Sequence, residues 1–340
     1  MIVRLLLLAA LGAALGLTSI QEARAQPTLR PTEDAADCLV DSQIPPAQRA
    51  AVENVGLSFV QAMLGADTGT AYAKFTPETR GSLAAADFAR LAEQARESLD
   101  AVRSLQVAHT YFVKGIGRGH DKKITCGSMG RPDDFIRVAV KPATAQAHLL
   151  IEGRSASNAW SFVLWLIEGQ SWQVQNVFLG MTRMIDKSPA DFLRLAVDQA
   201  SRKHDFNAAL LYATADSLAD YGPDFELGVR AAIRREAARL KLPRALQGET
   251  APSWRLGKKT YRILAVGPVG AGGKLYLMIN WETSAWGSDK EVETRNQDFI
   301  AAFAQAYPEY ADAFAGLIVS AVEKGGGRGY RSIHAAAKVD

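Results

Sequence analysis

Leu105-Gln106-Val107-Ala108-His109-Thr110-Tyr111-Phe112-Val113 is the stretch on which the fold turns. Read at a period of two, Leu105, Val107, His109, Tyr111 and Val113 fall on one face, and Gln106, Ala108, Thr110 and Phe112 on the other. That period belongs to a strand, whose successive side chains project to opposite sides, so a half-buried strand is expected here. Before this stretch the apolar period is helical; after it the period stays near two. Helices followed by an antiparallel sheet make the expected fold class α+β.

Working backwards, Val52, Val55, Phe59 and Met63 recur at three- and four-residue steps and stop at Gly65, which predicts an amphipathic helix beginning after Pro46. A shorter helix is expected over 70–75, closed by Pro77, and Phe88, Leu91, Ala95 and Leu99 draw a third apolar stripe. Residues 26–46 carry Pro27, Pro31, Pro45 and Pro46 among polar neighbours and read as an extended arm. Working forwards, four more strands are expected over 135–140, 145–152, 160–168 and 172–179. Turn-forming stretches at 153–158 and 169–171 separate the last three, so the sheet should be largely antiparallel.

Phe59-Val60-Gln61-Ala62-Met63-Leu64-Gly65-Ala66-Asp67, then Ala71-Tyr72 with Phe75-Thr76-Pro77-Glu78, and finally Trp172-Gln173-Val174 occur within this order of elements. Together they resemble the nuclear transport factor 2-like (cystatin-like, SnoaL-type) superfamily over about residues 45–182. The resemblance implies a cone-like, strongly twisted sheet in a first domain at 47–186. It carries no catalytic residue across, because no acid/base constellation of that superfamily's enzymes matches here residue for residue. Its members range from isomerases and dehydratases to binding modules, so the fold alone selects no function.

In the second half, Phe192, Leu195 and Ala196, then Ala208, Tyr212 and Ala215, resemble the helical hairpin of tetratricopeptide proteins over 189–220, as a single unit without a second copy. A further helix is expected over 227–240. Two strands at 261–266 and 275–281 are joined by the glycine-rich run 267–273, and closing helices span 297–307 and 308–324. The second domain is therefore expected at 187–325 as mainly helical with one β-hairpin, its boundary near Lys187 to Pro189. Residues 326–340 are left as a flexible tail. A single composite domain, with the later helices covering the first sheet, is the alternative.

Residues 1–25 read as a cleavable secretory signal peptide. Arg4 precedes the 13-residue apolar run Leu5 to Leu17, and Ala23-Arg24-Ala25 offers small residues for cleavage before Gln26. A membrane-spanning helix needs about 20 apolar residues, so an anchor is the weaker reading. The expected product is soluble, has no transmembrane segment, and is periplasmic or secreted. Of 39 basic residues the leader removes Arg4 and Arg24, and of 36 acidic ones Glu22, leaving 37 against 35. A net +2 lacks the basic excess of a nucleic-acid binder, so no nucleic-acid partner is expected. The two cysteines, Cys38 and Cys126, are expected to pair in an oxidising compartment, with two buried free thiols as the alternative. The bridge would close a loop of about 88 residues, worth roughly 4 to 5 kcal/mol in the chain-entropy account.

Several motifs fail on counting. The run Gly267 to Lys274 lacks the first glycine and the final Ser or Thr of a phosphate-binding loop, having Pro268 and Leu275 there. Gly115-Ile116-Gly117-Arg118-Gly119 lacks dinucleotide-loop spacing. Cys126-Gly127-Ser128-Met129-Gly130 has cysteine where a nucleophile elbow has glycine. Neither S-x-x-K nor H-E-x-x-H occurs, and no histidine lies at ligand spacing from a cysteine, so no metal and no cofactor are expected.

What remains is a set of candidates. If the first strand lines the interior of a cone, His109 and Tyr111 become polar groups of a ligand pocket walled by Trp160 and Phe162. An imidazole and a phenol can orient a ligand or move a proton. His148 alternates with Gln146 and Glu152 and is expected on the wetter face. Arg230, Arg234, Arg235, Arg239 and Lys241 form a basic surface opposite Val229, Ile233 and Leu240. The leading expectation is a non-enzymatic binding or accessory protein of the bacterial envelope, holding a small apolar ligand or a segment of an envelope protein. The alternatives are an acid/base enzyme of isomerase, dehydratase or hydrolase type using His109 and Tyr111, and an envelope-polymer binder using the basic helix. An enzyme should place a pocketed carboxylate within about 3 Å of His109.

Overall fold

The computed structural model describes residues 38–99, 104–116, 122–127, 135–154, 158–246, 252–284 and 286–336. The expected signal peptide and most of the expected arm lie outside these residues, as do the ends of the glycine-rich motifs at 117–119 and 128–130. Two compact units divide the described chain: 38–186 with 217–232, and 187–216 with 233–336. The expected second domain is therefore not continuous, because residues 217–232 return to the first unit.

In the first unit, α1 (Pro46–Leu64), α2 (Thr68–Ala73), α3 (Pro77–Ser82) and α4 (Ala85–Ser98) precede the long strands. Pro46 and Pro77 each occupy a first helical position, where the missing N–H would have had no intrahelical partner. Pro77 thus opens a helix that was not expected. Thr76 caps it by accepting from the Thr79 N–H, and Asp67 caps α2 by accepting from the Thr70 N–H. A five-stranded antiparallel sheet follows in the order β1-β2-β5-β6-β7, comprising β1 (Cys38–Val40), β2 (Ser104–Ile116), β5 (Ala143–Arg154), β6 (Asn158–Glu168) and β7 (Trp172–Met184). Part of the expected arm is therefore a strand. A second antiparallel sheet has the order β3-β4-β8, from β3 (Lys122–Gly127), β4 (Phe135–Val140) and β8 (Phe225–Leu227).

The helices pack on one face of the larger sheet. Phe59, Phe75 and Phe88 interlock there, the Phe59–Phe75 and Phe75–Phe88 centroids each 5.1 Å apart, over Phe112, Leu149, Phe162 and Leu164. Helix α1 approaches closely at Gly56, where a Cβ would come within 2.3 Å of Leu149 Cδ1. The opposite face carries Tyr111, Val113, Leu150, Val163 and Phe178, packed with Ile136, Val138 and Val140 of β4 and with Tyr221 and Phe225. Segment 217–232 thus adds a strand, β8, to a sheet begun far earlier in the chain.

The alternation at 105–113 is broken. Val107 pairs with Ile151 and His109 with the adjacent Leu150, leaving Ala108 as a β-bulge. Leu105 and Val107 accordingly join Phe112 in the helix-side core, while Tyr111 and Val113 face the smaller sheet.

The second unit contains α5 (Pro189–Ser201) and a five-stranded sheet ordered β13-β12-β11-β10-β9. Its strands are β9 (Ser253–Leu256), β10 (Lys259–Ala271), β11 (Lys274–Thr283), β12 (Gly316–Glu323) and β13 (Gly329–Ala335), with α8 (Asp289–Ala306) and α9 (Tyr310–Ala313) between β11 and β12. The chain passes between units after Asp186 and again within helices α6 (Asp205–Leu218) and α7 (Gly228–Ala237).

This corrects the expectation of a mainly helical part with one hairpin. Helix is expected over 308–324, yet the run Gly316 to Val322 within it is a short apolar stretch buried on both faces and paired in parallel with β11. Such a run has no usable period, and its β-branched Ile318, Val319 and Val322 suit a central strand. The expected tail at 326–340 contains β13. The glycine-rich run 267–273 is mostly strand, with the reversal confined to Gly272 and Gly273, at φ 55° and 71°. Pro268 is tolerated because β10 pairs with β9 only over residues 259–262, so its other side is open at 268.

Candidate functional site

Two polar clusters lie at the larger sheet of the first unit, one linking it to α1 and the other on the face turned away from the helices. At the first, the Cys38–Cys126 disulfide, with its Cα atoms 5.4 Å apart, ties β1 to β3. Asp41 follows β1 directly and adopts a left-handed backbone, φ 47°, which aspartate tolerates better than most residues. That turn brings its carboxylate onto β2. Oδ1 accepts from the Thr110 N–H at 2.8 Å, and Oδ2 accepts from His109 Nδ1 at 2.9 Å. Thr110 in turn donates to Glu53 at 2.7 Å, and Arg49 donates to the same carboxylate at 2.6 Å, linking the site to α1.

With Nδ1 donating to Asp41, the neutral His109 ring keeps its lone pair on Nε2, the tautomer of a general base. The Tyr111 ring lies 6.0 Å from the His109 ring, and burial, aided by the Asp41 charge, pushes its phenol well above the usual range. Tyr111 therefore stays a neutral hydrogen-bond donor. A carboxylate does stand within about 3 Å of His109. It is not pocketed, since the His109 side chain is 50% exposed.

The second cluster surrounds His148, which was expected on the wetter face and is fully buried. The covering sheet accounts for the difference. Nε2 donates to the Ala139 carbonyl of β4 at 2.9 Å, the ring stacks on Trp165 with centroids 5.5 Å apart, and Nδ1 has no protein partner. Because a carbonyl can only accept, Nε2 carries the proton. Burial outweighs that bond and pushes the imidazole down to about 3, so His148 is neutral at physiological pH. Trp165 donates to Gln146 at 3.0 Å, and Lys141 lies 5.8 Å from the Trp165 ring centroid. Tyr221, Asp224, Asn176 and Phe178 complete a small crevice beside His148, in which Asn176 donates to Asp224. It encloses about 10 Å³, room for one water; drug-sized ligands need several hundred.

The expected pocket residues are not brought together. His109 and Tyr111 share the disulfide-side cluster, but Trp160 and Phe162 belong to the helix-side core, through the thickness of the sheet. The Ala108 bulge causes the separation. Nothing local in the sequence marks Asp41; the pairing of β1 with β2, which sets Val40 opposite Tyr111, brings it beside Thr110 and His109.

The basic helix also differs from expectation. Arg230 pairs with Asp220 at 2.7 Å, Arg234 with Asp216 at 3.0 Å, and Arg239 with Glu236 at 2.7 Å; Glu236 also lies 3.8 Å from Arg235. Lys241 is exposed. With acids interleaved among the arginines, a uniformly cationic face for an envelope polymer is not formed. Among the described residues, no group of His, Cys, Asp or Glu side chains is arranged to hold a metal, and no helix is long and apolar enough to cross a membrane.

No protein family, curated protein or solved structure matches this chain.

Proposed function

We propose that the protein is an exported, non-enzymatic accessory module of the bacterial envelope, built on a nuclear transport factor 2-like scaffold, and that it holds a segment of another envelope protein. The carrying observation is that both faces of the five-stranded sheet in the first unit are occupied, by interlocked aromatic rings on one side and by the smaller sheet on the other. Packing of this kind favours recognition at the surface over enclosure of a small apolar ligand. The disulfide supports an extracytoplasmic address, because reducing compartments keep such pairs open. Native mass spectrometry of protein extracted from the periplasm, compared with its denatured mass, tests the reading. The expected result is no retained small molecule, together with crosslinking to another envelope protein in intact cells. A stoichiometric small ligand would overturn it.

A second reading rests on the Asp41–His109 pair. An imidazole oriented by a carboxylate, beside a neutral phenol, suits proton transfer in an isomerase, dehydratase or hydrolase. Its test is a substrate screen of those three classes. The reading requires turnover that His109→Gln and Asp41→Asn both abolish while the fold is kept; turnover indifferent to both would remove it.

A further inference from the structure

Strand β13 ends its sheet, and among the described residues nothing pairs with its outer edge. On the inner edge it pairs with β12 over seven residues, Gly329 with Val322 through Ala335 with Gly316, without a bulge. Two bonds fix which residues serve that edge. Glu323 N–H donates to the Arg328 carbonyl, and Ala336 N–H donates to the Ala315 carbonyl. In an antiparallel ladder the hydrogen-bonded residues alternate, so Tyr330, Ser332 and His334 direct their backbone groups toward β12. The N–H and C=O groups of Gly329, Arg331, Ile333 and Ala335 therefore point away from the sheet.

The inner edge is held firmly. Asn296, on α8, directs its two amide hydrogens at the Val319 carbonyl, the Tyr330 carbonyl and Ser332 Oγ, which share them, and accepts from Trp281 Nε1. Arg328, just before the strand, makes two bonds to Glu323, each 3.0 Å, and lies 5.1 Å from the Trp286 ring centroid. The outer edge is free of proline and of any register shift. It also presents Ile333, 66% exposed, against 43% for Val197 and 36% for Leu195.

We propose that this edge pairs with a second copy of the chain, β13 against β13 in antiparallel fashion, about a two-fold axis at Ser332. The register follows from the strand itself. Ser332 is the midpoint of the seven residues, so this axis alone overlaps the whole strand. All four outward residues then meet outward residues, Arg331 opposite Ile333 of the second copy and Gly329 opposite Ala335. Tyr330 faces His334, and the exposed Ile333 lies along the aliphatic stem of Arg331. An axis at Arg331 would instead set two guanidinium groups directly opposite, which is unfavourable. The product is one continuous ten-stranded sheet. This inference is independent of the functional reading above.

Light scattering on size-separated mature protein tests it, with four forms compared at about 50 μM. Wild type should have twice the monomer mass. Ile333→Pro removes an outward N–H that β12 does not use, and should give monomer with an unchanged circular dichroism spectrum. Ile333→Lys sets like charges opposite in the stated register and should also give monomer. Adding Arg331→Glu to Ile333→Lys makes the opposed pairs attractive and should restore the dimer. A monomeric wild type, a dimer indifferent to Ile333→Lys, or failure of the double variant to re-pair would each overturn the proposal.

Discussion

Lowering the pH from 7.5 to 5 should cost this protein about 2 kcal/mol through His148 alone. In the unfolded chain the imidazole takes up a proton near pH 6.5, whereas in the folded protein burial holds it neutral down to about pH 3. Folding then releases a proton at any pH between those values. The contribution is fully present above pH 6.5 and is lost progressively as the pH falls toward 3. At pH 5 the gap from 6.5 spans 1.5 units at about 1.4 kcal/mol each, hence the figure of about 2. The groups around the ring set the context: Lys141 lies over the stacked Trp165, and Tyr221 and Asp224 line the same crevice. The assay is urea unfolding at pH 7.5, 6 and 5 of wild type and His148→Phe, which keeps an aromatic ring against Trp165 but cannot titrate. Other carboxylates titrate in both proteins, so the difference between them isolates His148. The variant will be less stable at pH 7.5, having lost the bond to Ala139, and the gap should shrink by about 2 kcal/mol by pH 5. Parallel pH profiles would refute the reasoning.

Other perturbations have equally definite outcomes. Asn296→Leu leaves the buried Trp281 N–H and the Ser332 hydroxyl without their partner and should cost about 2 to 4 kcal/mol in chemical unfolding. Gly316→Ala would put a methyl group 2.1 Å from the His334 carbonyl oxygen, forcing β13 away from β12; faster amide exchange across 329–335 is expected, at about 1 to 3 kcal/mol. Gly222→Ala combines φ 86° with a 2.9 Å approach to Phe178 and should disturb the turn into β8, seen as a change in near-ultraviolet circular dichroism. Replacing Cys38 and Cys126 with serine should remove about 2 to 5 kcal/mol and loosen β1 with the Asp41 turn, so the His109 imidazole signal in NMR should move toward that of a histidine without a carboxylate partner.

The sequence carried the first unit's order of helices and long strands because each is long enough to show its period. Strand β4 matched its expected bounds of 135–140, and Val52, Phe59 and Met63 lie in the helix-side core as their spacing implied. Three features were not legible, each for a physical reason. One extra residue at Ala108 reverses every side chain after it, and no local residue type announces a bulge. The burial of His148 comes from β4 and from β8, a strand contributed by a segment about eighty positions away, so its own neighbours in sequence gave no sign of it. Strand β12 is apolar on both faces and therefore aperiodic, which also hides the partner that β13 needs. Asp41 illustrates the same limit at the candidate site: the pairing of β1 with β2, and no local pattern, delivers it to His109.

The account depends most on export, since the oxidised cysteines and the envelope role follow from it. Intact-mass analysis of the protein recovered from osmotic-shock fluid of its native host measures this directly. The account predicts a chain beginning at Gln26 whose mass is two hydrogens below that of the reduced form. A chain retaining Met1, found in the cytosol with both thiols free, would contradict it.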